Sequence, residues 1–135
     1  MQSAVYALGR ALTAPLFIVS GTAKFMNVAG ILGNPGMKNF MALIGGGAAP
    51  AWFGYLIAAI EVIGGLMILF GIKTKTAAVV LFLFTALTVV FRHRFWIDPA
   101  EQTQALKNFV IMGAFLMIAA SGAGAYSFDN RSASR

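Results

Sequence analysis

The sequence predicts an all-α polytopic membrane protein, a four-helix bundle with a short amphipathic interfacial helix between its first and second spans. Three observations carry that reading. Of 135 residues, 59% are hydrophobic and only 10% are charged, against about 25% charged in a typical soluble domain. The apolar residues gather into four runs, each long enough to cross a bilayer at ~1.5 Å per residue. None of the runs shows the period-2 alternation of a membrane β-barrel strand.

The length suits a single membrane domain over residues 1–135, with no soluble catalytic module beside it. Its spans read as 4–26, 51–72, 76–95 and 106–125. The first has no basic start, and Arg10 interrupts what would be the apolar core of a signal peptide, so it reads as a retained helix. In the loop that follows, Met37, Phe40, Met41 and Ile44 recur at i, i+3, i+4, i+7 behind Asn34-Pro35, a cap and a first helical position. Gly45-Gly46-Gly47 ends that pattern. The spacing predicts a helix over 35–44, lying in the interface or folded over the bundle mouth. The second and third spans are joined by Gly71-Ile72-Lys73-Thr74-Lys75, short enough to make them antiparallel neighbours. The purely apolar part of the third span, Ala77 to Phe91, is short, and the reading extends it through Arg92 to Phe95 with side chains reaching the interface. Small residues at Gly64, Gly65, Gly113, Ala120 and Gly124 are expected where helices approach closely.

Composition also excludes. With no cysteine, disulfide exchange, thiolate nucleophiles and sulfur-ligated metals are out of reach. The net charge of +6 is scattered over loops and helix ends, which fits lipid headgroups and gives no nucleic-acid partner. One histidine among few carboxylates makes no metal site. There is no nucleotide-binding glycine loop and no catalytic triad. Four spans put both termini and the Lys73/Lys75 turn on one face, together with Arg131 and Arg135. The basic residues in that shortest loop favour cytoplasmic termini.

The polar residues inside the spans are the candidates for chemistry. Glu61 stands alone in its apolar run, where an ionised side chain costs at least ~2.5–3.5 kcal/mol. Arg10 lies ~9 Å from one face and Glu61 ~15 Å from the other, so in a ~30 Å core they differ by ~6 Å in depth. That arithmetic predicts a buried Arg10–Glu61 ion pair. The pair either fixes helix register or forms a proton-linked carboxylate and ligand anchor. Lys24 falls within ~40° of Arg10 on the same helix face. It either snorkels to headgroups or faces the bundle mouth as a lone ammonium. His93, in Arg92-His93-Arg94-Phe95-Trp96, belongs to the same membrane end, as do Asp98 and Asn108. Lys24, His93, Trp96 and Asn108 therefore form a candidate ligand pocket under the interfacial helix, where a histidine would suit quinone chemistry. The plainer reading makes His93 and Trp96 membrane anchors.

Arg10, Gly21-x-x-Lys24, Glu61 and Gly71-Ile72-x-Thr74-Lys75-x-Ala77 are followed by His93-x-x-Trp96, Lys107-Asn108 and Gly122-x-Gly124-x-x-Ser127-x-Asp129. In this order and spacing, from Arg10 to Asp129, the chain resembles the DoxX family of small four-helix membrane proteins. The resemblance implies a bacterial inner-membrane bundle, in a family named for a relative of the membrane subunit of thiosulfate:quinone oxidoreductase. It also implies similarity to the bundle of vitamin K epoxide reductase, but without that family's cysteines thiol oxidation does not transfer. What transfers is a quinone or lipid pocket at the bundle mouth.

Three functions are thus expected to compete. The first is a membrane subunit that binds a quinone, with no covalent cofactor, and supports a larger redox enzyme as partner or works as a homo-oligomer. The second is a non-catalytic scaffold or assembly factor of a membrane complex. The third is a small proton-coupled transporter, suggested by a lone membrane carboxylate.

Overall fold

A computed structural model describes residues 1–133. The elements are α1 (Gln2–Met26), α2 (Val28–Gly33), α3 (Pro35–Leu43), α4 (Ala51–Phe70), α5 (Thr74–Phe91), α6 (Gln102–Ser121) and α7 (Phe128–Ala133), with a 3₁₀ turn at Pro99–Glu101 before α6. No strand occurs among the described residues, and α1, α4, α5 and α6 are long and apolar enough to cross a membrane. The all-α polytopic bundle expected from composition is the observed fold. Arg135 lies outside the described residues.

α4 is the central helix, and glycines on it set how closely its neighbours approach. A Cβ on Gly65 would meet Ile18 and the Ala14 carbonyl of α1, while one on Gly64 would meet Leu81 of α5. From the other side, Gly21 of α1 lies against Ala58, Glu61 and Val62. Residues 14–18 thus sit level with Gly65, and Gly21 sits level with Ala58, so α1 and α4 run antiparallel. Backbones this close gain dispersion contacts, the main attraction available between helices in lipid. Phe17 of α1 meets Phe115 of α6 with ring centroids 5.2 Å apart, and Phe115 is fully buried. Together with Ile68, Leu81, Ala77 and Ala78 these rings form the core. Gly113, expected at a helix contact, has open space where its Cβ would lie, and Ala120 is exposed. Their faces of α6 turn outward, so their small size serves no close approach.

Several helix ends differ from the sequence reading, each for a local reason. α4 stops at Phe70 because Gly71 adopts a left-handed conformation (φ 69°) that ends the helix. α5 stops at Phe91, where the apolar run gives way to Arg92 and His93, whose side chains turn to Glu101. α6 begins and ends four residues earlier than 106–125. Asp98 caps the preceding turn through Ala100 N–H at 3.0 Å, with Pro99 at its first position, and Gly122 (φ 78°) stops the far end. The loop between the first two spans holds an extra helix, α2, started by Asn27, whose side chain accepts from Gly30 N–H at 3.0 Å. The predicted 35–44 helix is α3, capped by Asn34 on Met37 N–H at 2.9 Å. It folds over the bundle mouth: Asn39 donates to the Phe91 carbonyl at 2.8 Å, and Phe40 packs between Phe53 and Phe91.

Candidate functional site

The buried ion pair inside the membrane is Lys24–Glu61, which corrects the expected Arg10–Glu61 pair. Lys24 Nζ lies 2.5 Å from Glu61 Oε2, and the Glu61 side chain is only 5% exposed. The reason is directional. Every Cα–Cβ bond of an α-helix tilts toward its N-terminus, so long side chains lie back over the preceding turn. On α1 that tilt carries Lys24 inward from the mouth, back to Ser20, whose Oγ accepts from Nζ at 2.7 Å. The same tilt carries Arg10 outward, away from Glu61. Depth arithmetic treated both side chains as free to swing either way.

Ser20 Oγ in turn donates to Glu61 Oε1 at 3.2 Å, so both carboxylate oxygens are engaged. An ammonium has three N–H donors. Two of Lys24's are taken by Ser20 and Glu61, and the third has no acceptor among the described residues. The Lys24 side chain as a whole keeps 29% of its surface exposed. Glu61 is the eleventh of twenty residues in α4. The cluster is therefore an ion pair deep in the bundle whose ammonium has one N–H without a partner among the described residues.

Arg10 is spent at the other end. Nη1 donates to the carbonyls of Ile68 and Leu69 at 3.2 and 3.1 Å, and Nη2 donates to the Tyr126 carbonyl at 2.5 Å. Ile68 and Leu69 end α4, where carbonyls lack intrahelical partners and the helix dipole is negative, so a guanidinium suits the place. Asp129 completes that end. Its two oxygens accept from Lys73 N–H (2.6 Å) and Thr74 N–H (2.9 Å), capping α5 in place of Lys73, which has a left-handed backbone (φ 43°) and no capping side chain. The Asp129 N–H donates back to the Gly71 carbonyl at 2.9 Å. Burial pushes the Asp129 carboxyl up, but hydrogen bonds from Thr74 and Lys73 and the nearby Arg10 charge outweigh it and hold the group below the usual carboxylate range.

The remaining candidates do not join Lys24. His93 Nδ1 lies 2.7 Å from Glu101 Oε2, and Arg92 Nη1 lies 2.8 Å from Glu101 Oε1, which ties the end of α5 to the start of α6. Trp96 is exposed and packs edge-on against Phe95 at 5.2 Å. Asn108 is half-buried on α6. Among the described residues no hydrogen bond or ring contact links Lys24, His93, Trp96 and Asn108 to one another. Sequence reasoning missed two participants, Ser20 as the bridge and Glu101 as the mouth acid. Ser20 was legible as the residue one turn before Lys24, and Glu101 had no periodic signal. No group of three or more metal-ligating side chains forms among the described residues.

The family model described as DoxX matches residues 5–94, which include Arg10, Lys24, Glu61 and His93 but not Trp96, Asn108 or Asp129. The chain is 35% identical to the inner membrane protein YqjF of Escherichia coli (strain K12) over 90% of its own length and 87% of that protein's. It is 31% identical to the inner membrane protein YphA of the same organism, covering 86% and 81% of the two chains. CatD of Bacillus subtilis (strain 168), which carries a provisional oxidoreductase name, is 34% identical over 52% of this chain and 46% of its own. No solved structure matches. Four apolar spans and these relatives make the chain a multi-pass inner-membrane protein.

Proposed function

The chain belongs to the DoxX family, and from that premise we propose that it is a membrane subunit that binds a quinone or similar amphiphile and supports a redox partner. The observation that carries the proposal is the third N–H of Lys24, left without an acceptor beside a carboxylate inside the bundle. A quinone carbonyl would accept that hydrogen bond, and the Glu61 carboxylate would hold the ammonium in place beside it. Any electrons would pass between the quinone and a partner enzyme, because no side chain here carries them. Lys24 binds and orients, Ser20 fixes the ammonium, and Glu61 sets the local charge. The provisional oxidoreductase name of CatD adds weight to a redox setting. The mouth residues His93, Trp96 and Asn108 would line the approach rather than the site itself. We place the termini in the cytoplasm, on the strength of Lys73 and Lys75 in the shortest loop, which topology reporters fused to each terminus would check.

The test is binding of a short-chain benzoquinone to the purified protein. Affinity should fall on Lys24→Ala and hold on His93→Ala. Unchanged affinity in Lys24→Ala would discard the assigned site, and no binding by the parent protein would discard the function. A scaffold or assembly role is the second reading, favoured because both carboxylate oxygens of Glu61 are already satisfied within the chain. Co-purification with a larger enzyme, undisturbed in Lys24→Ala, would support it. Export of cations is the weakest reading, since the Lys24 ammonium already occupies the carboxylate such a substrate would need.

A further inference from the structure

A groove of about 580 Å³ lies at the mouth end, apart from the Lys24 cluster. Ala29 and Leu32 of α2, Met37 and Met41 of α3 and the strap 47–49 line it, and Lys38 stands on its rim. The volume falls in the range of small-molecule sites. α3 has two distinct sides. Asn39 and Phe40 hold it to α4 and α5, while Lys38 and Met41 face the groove.

Lys38 is the basic residue that lines this groove. It sits at the end of the first turn of α3, which has no acidic residue, so its ammonium adds to the positive pole of the helix. The chain has four acidic residues, and each is committed elsewhere. Glu61 holds Lys24, Glu101 holds Arg92 and His93, Asp98 caps the turn at Ala100, and Asp129 caps α5. Lys38 is exposed and has no anionic partner among the described residues. No carboxylate among the described residues competes with an external anion for it. Beside an apolar groove at the membrane surface, the fitting partner joins an anion to an apolar tail.

We infer that this groove is a binding site for an anionic phospholipid, with an acyl chain along Leu32, Met37 and Met41 and the headgroup phosphate on Lys38. Zwitterionic lipids offset their phosphate with an ammonium of their own, and a free phosphate lacks the chain that fills the floor. The inference is independent of quinone binding at Lys24.

Native mass spectrometry of the full chain, stripped of lipid in detergent and then offered phosphatidylglycerol or phosphatidylcholine of equal chain length, tests it. Phosphatidylglycerol should be retained in preference, and Lys38→Gln should weaken it about fivefold, as expected for one basic side chain at an anionic headgroup. Lys107→Gln, another basic residue of this end, should leave retention unchanged. Gly33→Leu should block the groove, since a Cβ there meets open space and disturbs no neighbour. A thermal melt of that variant confirms that the bundle is intact. Equal retention of the two lipids, equal losses in Lys38→Gln and Lys107→Gln, or full retention in Gly33→Leu would each overturn the inference. Competition by glycerol phosphate alone would overturn it in favour of a free-anion site.

Discussion

The two ends of the bundle answer their charges in opposite ways. At the end that holds the termini, Arg10 and Asp129 are partnered by backbone groups, three carbonyls for the Arg10 Nη atoms (its buried Nε has none) and two N–H donors for Asp129. Toward the mouth, Lys24, Glu61, Arg92, His93 and Glu101 are partnered by side chains. Backbone partners are fixed by the fold and cannot be released without melting a helix end. Side-chain partners can exchange for a ligand. The terminal end is therefore a lock and the mouth half is where binding can occur, although Arg10 and Lys24 lie on the same helix and on nearly the same face.

The largest effect should come from breaking the lock. Arg10→Met takes the guanidinium from three carbonyls in a site only 3% exposed; the Ile68 carbonyl keeps the Gly71 N–H at 3.3 Å, and a loss of about 3–5 kcal/mol is expected from the other two buried polar groups. Arg10→Lys should recover part of it, because an ammonium keeps the charge but lacks the planar fork. Denaturation in mixed micelles measures both. A stable Arg10→Met would mean that the two ends do not differ in kind.

The Lys24–Glu61 pair should behave otherwise. Lys24→Met alone strands a carboxylate whose side chain is 5% exposed, at a cost of about 3 kcal/mol. The double variant Lys24→Met/Glu61→Leu should return close to parent stability, since replacing a whole buried pair with apolar side chains is often neutral. Quinone affinity should stay lost in the double variant. Restored stability with lost binding identifies a ligand site; restored binding would make the pair purely structural.

Asp129→Asn should cost about 1 kcal/mol at neutral pH, the typical value of a helix N-cap. The sign with pH follows from its lowered folded value. The contribution of Asp129 is fully present above the unfolded carboxyl value of about 3.9 and disappears as pH falls through the lower folded one. Parent and variant should therefore converge on acidification below about pH 4. A gap that persists at low pH would show that the neutral carboxyl caps α5 equally well.

Much of this was legible in the sequence, and the failures share a cause. Span count, the Gly71 turn and the Asn34-Pro35 start of α3 follow from composition and local chemistry, which act within a few residues. The partner of Glu61 required side-chain direction, and depth alone chose Arg10 where the tilt of α1 chooses Lys24. The sequence reading starts the fourth span at residue 106, although Asp98-Pro99 has the form of a cap and first helical residue ahead of it. The role of Asp129 was hidden because it caps a helix more than fifty positions away in the chain, and no local pattern encodes that contact. Arg10 and Lys24 look equivalent in the sequence; only the surroundings of each separate lock from site.

The smallest effect is expected at the mouth, and it sharpens the division within that half. Glu101 receives Arg92 and His93 at 2.8 and 2.7 Å, but the Arg92 side chain is 38% exposed and the cluster lies at the water-facing end of α5. Charges in such a place are screened within about 8 Å at physiological salt, and ion pairs there contribute little to stability. Glu101→Gln should therefore leave denaturation midpoints unchanged at physiological salt, with a small drop appearing only at low ionic strength. It should also leave quinone affinity unchanged, because no hydrogen bond connects this cluster with Lys24, Ser20 or Glu61. A fall in affinity matching that of Lys24→Ala would show that mouth and mid-bundle act as one site. His93 would then belong with Lys24 after all, joined by a rearrangement on binding rather than by the contacts present before it.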